Sequence, residues 1–408
     1  MIVIADDITG AAEMAGIAFS QGQQVRLVCG GVAGGCGTAT YGTTVIATDT
    51  RSMSEAEAVA ETQHIVSSFL IPHSLFESVA LRTSFLIYKK TDSALCGHVV
   101  AELTALMEAT GYQRVVYLPA NPSKGRIIRG GTYYIKEVSD ERLEVRDVPI
   151  AETAFSFDPE FPAKTSILRE RFPDAEAKGI IMPDAENEED IQKVIAKYND
   201  GKTLFAGAAD LFSALLGHSR ETRNTRDSRE TRDTRVSNCP STLILCGSTQ
   251  SKPLDLGIPI APMPREIYDG SNDLSLWDTS AYQEKHSLIL TMPFTHRTGK
   301  EAAVHLRTMM AQKAKELITE YLFPTLDREG SEESLHLIIE GGATAWATLQ
   351  ALGWTEFEIV AQIAPGVVQM SATIACHTST YGSKKHVIVT LKPGSYPWGS
   401  LFSSSANR

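Results

Sequence analysis

Charged and polar residues recur at intervals in the first third of this chain, each group directly after a short apolar run. Asp6-Asp7 follow Ile2–Ala5, and Asp49 with Arg51 follow Thr43–Ala47. Lys89, Lys90 and Asp92 close the run opened by Phe85, and Asn121 with Arg126 follow Arg114–Leu118. Carboxylates accept hydrogen bonds from hydroxyls, whereas arginine and lysine hold anions, arginine through a planar fork. Two adjacent acids such as Asp6-Asp7 cost free energy unless they meet a cation, a hydroxyl or a metal. A single group of this kind reads as a solvated loop or, for an aspartate, a helix cap. Several groups, each at a strand end, have a further meaning. In an open α/β sheet the C-terminal strand ends share one edge, and that edge is where ligands bind.

The second half carries a different chemistry at equivalent places. Gly247-Ser248, Gly341-Gly342 and Gly394 each follow an apolar run. Glycine lets backbone N–H groups approach an anion, and Gly342 opens a helical pattern whose dipole favours phosphate. Ser248, Thr249 and Thr344 add hydroxyls. Three such loops on one edge suit a polyphosphate. Standard nucleotide motifs are absent. Thr298-Gly299-Lys300 is followed by Glu301, and Phe294 stands where a P-loop needs its first glycine. There is no G-x-G-x-x-G opening either half, no G-x-S-x-G, and no His/Cys set at zinc spacing.

The elements that would position these residues alternate. Strands are expected at Ile2–Ala5, Val25–Cys29, Thr43–Ala47, Phe85–Lys89 and Arg114–Leu118, with a Gly-rich loop over 30–37. Ser54 and Glu57 form a capping box for a helix reaching Phe69, and Val99–Thr110 is helical in pattern. Later strands are expected at Thr242–Cys246, Ser287–Met292, His336–Ile339 and Val387–Thr390, with a helix from Lys300 to Tyr321. This alternation predicts an α/β protein of two α/β domains with mostly parallel sheets and a ligand cleft between them.

A length of 408 residues favours two domains over one core. Between them, arginine recurs at every third position from 220 to 235, with acids at 221, 227, 230 and 233. A period of three is not helical, so 219–238 reads as a low-complexity linker between domains 1–218 and 239–408. The formal charge of −11 argues against a nucleic-acid binder. Six cysteines without a C-x-x-C pair fit reduced thiols in the cytoplasm. The apolar opening stops at Asp6, so neither a signal peptide nor a membrane span is expected.

Taken in order, ADDITGAAEMAG, TDTRSMS, YKKTDSALCG, PANPSKGR, FDPEFPAKTS, LCGSTQS, EGGATA, APGVVQ and LKPGSYPWG resemble the four-carbon acid sugar kinases along nearly the whole chain. The resemblance implies an N-terminal sugar-acid domain and a C-terminal nucleotide domain. It implies ATP- and Mg²⁺-dependent phosphorylation of the terminal hydroxyl of an acid such as threonate or erythronate. Arg51 would take the carboxylate, helped by Lys89, Lys90 or Arg126; Asp6 and Asp7 would accept hydroxyls, with Asn121 beside them. Asp92, after two lysines that would keep it ionised, would be the base, with Asp6 and Asp7 as alternatives. Ser248, Gly341, Gly342, Ala343, Thr344 and Gly394 would hold ATP; the metal ligands stay open, as does a homo-oligomer. The chain departs from the family pattern at Cys96, where an arginine is usual, and at Ala343, where an acid is usual, so that Glu340 is a substitute. The closing loop from Lys392 to Gly399 is two residues longer. The rival expectations are a non-catalytic sensor of sugar acid or nucleotide, and a different transferase or lyase on the same frame.

Overall fold

The computed structural model describes residues 1–30, 41–70, 86–138, 145–158, 161–221, 241–248, 254–297, 299–322, 335–375, 384–394, 396–398 and 401–402. The expected linker beyond 221, the Gly-rich loop beyond 30, Thr249, Cys36, Cys239, Cys376, Thr298 and Gly399 lie outside them. The chain forms two compact units: residues 1–23 with 30–228, and residues 24–29 with 229–408.

In the first unit, β1 (Ile2–Ala5) is flanked by β3 (Thr43–Ala47) and β4 (Ile87–Lys90). β2 (Val25–Cys29) groups instead with the second unit. β5 (Arg114–Leu118), β9 (Ile180–Ile181) and β10 (Thr203–Gly207) complete the sheet, in the order β3-β1-β4-β10-β5-β9 with every pairing parallel. Every residue of β1, β3 and β10 is buried. A strand covered on both faces needs a continuous apolar run, which is why IVIA and TTVIA are legible as strands. Helix α1 (Ile8–Ser20) packs with the helix Ala209–Glu221, and α2 (Glu55–Leu70) with α3 (Val99–Thr110). The capping box forms: Ser54 N–H donates to Glu57 Oε2 at 2.9 Å, and Glu57 N–H to Ser54 Oγ at 3.4 Å.

An antiparallel sheet of β6 (Arg126–Arg129), β7 (Thr132–Val138) and β8 (Val145–Pro149) was not expected from the pattern. Its signal was present. Gly130-Gly131, both at positive φ, make the two-residue hairpin turn that joins β6 to β7.

The second unit has parallel pairings in the order β12-β13-β11-β14-β17, for β11 (Ser241–Cys246), β12 (Ile260–Pro262), β13 (Ser287–Thr291), β14 (Leu335–Glu340) and β17 (Lys384–Lys392). β15 (Glu356–Ala364) and β16 (Val367–Ala375) add an antiparallel hairpin beside β17, and β15 pairs with β2. The helix expected to reach Tyr321 runs as Lys300–Leu317 and widens to a π turn over Ile318–Leu322. No described helix is long and apolar enough to cross a membrane.

Candidate functional site

Asp7 ends β1 and caps α1. Its Oδ1 accepts from the Gly10 N–H at 2.7 Å and its Oδ2 from the Thr9 hydroxyl at 2.7 Å. Asp6, next to it, is 2% exposed. Arg51 lies in a short 3₁₀ turn, Thr50–Ser52, entered through Asp49 at φ 57. This left-handed conformation is one that aspartate tolerates better than most residues. From that turn Arg51 reaches three carboxylates. Its Nε and Nη2 donate to Asp6 Oδ2 at 3.3 and 3.2 Å, and its Nη1 lies 3.2 Å from Asp7 Oδ2 and 3.4 Å from Asp92 Oδ2. Asp92 follows β4, and its Oδ1 accepts from the Ala94 N–H at 2.6 Å. The adjoining Leu95 holds φ 66, a strained value for a branched side chain, and its carbonyl accepts from Arg171 Nη2 at 3.3 Å.

The electrostatics divide the three acids. Burial, with help from Asp7, pushes Asp6 up to about 6, although Arg51 and the two lysines pull the other way. Burial also acts against the charge of Asp7, but Arg51, Lys90 and the bonds from Thr9 and Gly10 hold it below the usual carboxylate range. Asp6 Oδ1 is buried and accepts no hydrogen bond from any described residue. A buried acceptor left unpaired is costly, so it marks a place where a donor is missing. The nearby Cys96 thiol is pushed up, chiefly by burial, and behaves as an unreactive small residue.

The structure gives several of the expected binding residues partners within the chain itself. Lys89 is not a cation open to a ligand. β4 extends one residue further than expected, to Lys90, and strand alternation sends the two lysines to opposite faces. Lys89 Nζ pairs with Glu102 of α3 at 2.5 Å, both buried. Lys90 Nζ donates to the Thr91 carbonyl at 2.8 Å and lies 3.9 Å from Glu13 of α1. Arg51 is not a free fork, because its guanidinium is spent on Asp6, Asp7 and Asp92. Asn121 is a frame residue: its Oδ1 accepts from the Asp210 N–H at 3.2 Å, and its backbone bridges to Arg126. Arg126 differs from these cations. Its Nη1 donates to the Ser93 hydroxyl, its guanidinium lies 5.5 Å from the Phe155 ring centroid, and no described carboxylate pairs with it. Glu102 and Arg171 lie outside the quoted motifs, Thr50 and Glu13 lie inside two of them without an expected role, and all four gain a part through the fold.

In the second unit, β11, β14 and β17 are neighbours, so their three following loops meet. A Cβ on Gly247 would stand 2.0 Å from Thr344 Oγ1, and one on Gly394 would stand 2.3 Å from Ser248 Oγ. These glycines are therefore needed for the loops to close on one another. The helix Gly342–Leu352 starts there with no side-chain cap, so Gly342, Ala343 and Thr344 present a helix N-terminus beside Ser248. That donor set fits a phosphate. Glu340, the expected substitute acid, forms a buried ion pair with Lys392. Among the described residues no three His, Cys, Asp or Glu side chains could hold a metal ion together.

Residues 1–175 match the family described as the sugar-binding N-terminal domain. The chain is 27% identical over 244 residues to the D-threonate kinase of Salmonella typhimurium, a match covering 53% of this chain and 53% of that one. It thus spans about half the length of that curated relative. Two solved structures share the fold. A Haemophilus influenzae protein of a family of unknown function aligns with a TM-score of 0.64 at 17% identity, over 99% of this chain and 98% of that one. A Salmonella typhimurium protein named as a tRNA synthase aligns with a TM-score of 0.61 at 18% identity, over 98% and 97%.

Proposed function

We propose, from the premise that this chain is a relative of the four-carbon acid sugar kinases with a sugar-binding N-terminal domain over residues 1–175, that it phosphorylates the terminal hydroxyl of a four-carbon sugar acid with ATP. The observation that carries this is the set of three aspartates gripped by Arg51, with Asp6 Oδ1 lacking a donor and an uncompensated Arg126 bonded to Ser93 beside Asp92. A sugar acid supplies what is missing: hydroxyl donors for the aspartates and a carboxylate for Arg126. The compound is a threonate- or erythronate-type acid, and the setting is cytoplasmic.

Phosphoryl transfer needs positioning, charge neutralisation and one acceptor for the hydroxyl proton. Asp92 is that acceptor. Its side chain is 22% exposed, against 20% for Asp7 and 3% for Asp6, and both Asp7 oxygens are already committed to Thr9 and Gly10, so Asp92 is the carboxylate best placed for a substrate hydroxyl. Asp6 orients a second hydroxyl through Oδ1. Arg51 keeps the acids together, and Arg126 holds the carboxylate. The nucleotide's phosphates rest on Ser248, Gly341, Gly342, Ala343, Thr344 and Gly394. Mg²⁺ would arrive on those phosphates, since it is usually held by them with one or two carboxylates and water.

ADP release measured against a panel of four-carbon sugar acids tests the whole reading. Sugar-acid binding without ADP formation would leave a sensor. Two consequences follow for the separate sites. Arg126→Ala is expected to weaken sugar-acid binding by about 2–4 kcal/mol, because a carboxylate loses its charged partner. An unchanged Michaelis constant for the acid, with ATP saturating, would remove Arg126 from that role. Gly342→Val is expected to abolish ATP binding and spare sugar-acid binding, since a branched side chain blocks backbone approach to phosphate. Separate titrations decide it; loss of both ligands in a folded protein would mean the sites are not divided between the units.

A further inference from the structure

A buried polar chain runs beneath the three aspartates without touching them. Glu102, in the first turn of α3, is 1% exposed. Its Oε2 accepts from Lys89 Nζ at 2.5 Å and from the Thr50 hydroxyl at 2.8 Å. Thr50 is fully buried, and its Oγ1 also lies 3.0 Å from Thr48 Oγ1, which in turn is 3.0 Å from the Ala5 carbonyl. The Thr50 N–H donates to Thr48 Oγ1 at 3.3 Å. β4, α3, the 3₁₀ turn and β1 are thereby tied at one residue, and the next residue along is Arg51.

We propose that Glu102, acting through the Thr50 hydroxyl, is a positioning residue that sets Arg51 in the grip of Asp6, Asp7 and Asp92. A buried ion pair is weak evidence of stability, because desolvation offsets its attraction. Lys89–Glu102 is better explained by what it fixes. Arg51 sits on a short turn whose entry residue is left-handed, and its own backbone N–H is held only by the Asp6 carbonyl at 3.3 Å. Ser52 and Met53 close the turn locally on Asp49 and Thr50, and the Thr50 hydroxyl ties the residue before Arg51 to α3. One carboxylate oxygen of Glu102 accepts both bonds.

The charge on Asp6 reports the placement of Arg51. The groups acting on Asp6 are Arg51 on the turn, Asp7 at the start of α1, and Lys89 and Lys90 on β4. Of these, Thr50 adjoins Arg51 directly and reaches Lys89 only through Glu102, whose pairing with Lys89 does not depend on the hydroxyl. Thr50→Val removes the hydroxyl and keeps the shape; Thr50→Ser keeps the hydroxyl. In the full chain labelled with ¹³C-carboxyl aspartate, without ligand, Thr50→Val is expected to raise the Asp6 titration midpoint by about one pH unit, as an opposite charge moves away. Thr50→Ser should titrate as the parent does. The kinetic consequence rests on the kinase reading: sugar-acid turnover of Thr50→Val should fall roughly 10–100-fold, the effect of a small misplacement at a reacting centre. Thr50→Ala, which also lacks the hydroxyl and leaves Glu102 paired with Lys89, should move the same midpoint in the same direction and stands in if Thr50→Val does not fold.

A folded Thr50→Val or Thr50→Ala protein with an unmoved Asp6 midpoint would overturn the proposal, and so would Thr50→Ser behaving like Thr50→Val. A moved midpoint in a protein that phosphorylates no sugar acid would support the positioning role and reject the kinase reading instead.

Discussion

Asp92→Asn is expected to lower turnover by roughly 10²–10⁴, the usual contribution of a general base, with a much smaller change in sugar-acid affinity. The variant keeps much of its surroundings. An amide oxygen can still accept from the Ala94 N–H, as Asp92 Oδ1 does at 2.6 Å. The other end then turns an NH₂ group toward Arg51 Nη1, where a carboxylate oxygen now lies at 3.4 Å. Some local loosening is therefore expected, and a melting curve must accompany the kinetics. Asp6 and Asp7 still hold Arg51 in the variant, so the cluster should persist. If Asp92 only served that pairing, affinity and stability would drop together and turnover at saturation would hold. A folded Asp92→Asn enzyme with near-normal turnover would pass the proton to Asp6, whose basicity already suits neutral pH.

Asp6→Asn is expected to stabilise the ligand-free protein at pH 8 while impairing sugar-acid binding. Burial raises Asp6 to about 6 from the 3.8 of a solvated aspartate. The folded chain therefore holds this proton more tightly than the unfolded chain does. The stability associated with that proton is fully present below about 4 and is lost as pH rises through about 6. Above that, keeping Asp6 ionised costs on the order of 3 kcal/mol, because each pH unit between the unfolded and folded midpoints is worth about 1.4 kcal/mol. Asparagine is neutral at every pH and does not bear that cost. Its advantage should be on the order of 2–3 kcal/mol at pH 8 and close toward zero near pH 4. Denaturant unfolding of the full chain at the two pH values measures it. An Asp6→Asn protein less stable than the parent at pH 8 would mean that Arg51 depends on this carboxylate more than burial opposes it. Such a cost, retained in the parent, belongs to a site built for a ligand.

Much of this was written in local chemistry. β1, β3, β5 and α3 fall where their apolar runs and helical spacing put them, because strands buried on both faces must be continuously apolar. Ser54 and Glu57 announce the start of α2, since a capping box is a contact between near neighbours. Asp6, Asp7 and Asp92 were identifiable as carboxylates at strand ends, and Gly247, Gly342 and Gly394 as loops shaped for close approach. What each does in such a setting depends only on its residue type and on the end of a parallel sheet being shared.

The pairing of charges was decided by the tertiary structure. Sequence spacing cannot say that Arg51 meets Asp6, Asp7 and Asp92, which come from separate segments, or that Lys89 turns to Glu102 while Lys90 turns toward α1. Alternation along β4 puts the two lysines on opposite faces, but which face meets Glu102 follows from the pairing register, which a sequence pattern does not fix. Val25–Cys29 is legible as a strand, yet its membership in the second unit follows from pairing with β15, more than 300 residues away. Glu102 carries no local signature, and Thr50, although inside TDTRSMS, carries none that gives it a role. Residue type determined which groups could do chemistry; long-range packing, through register and burial, decided which of their charges are already spent and which remain for a ligand.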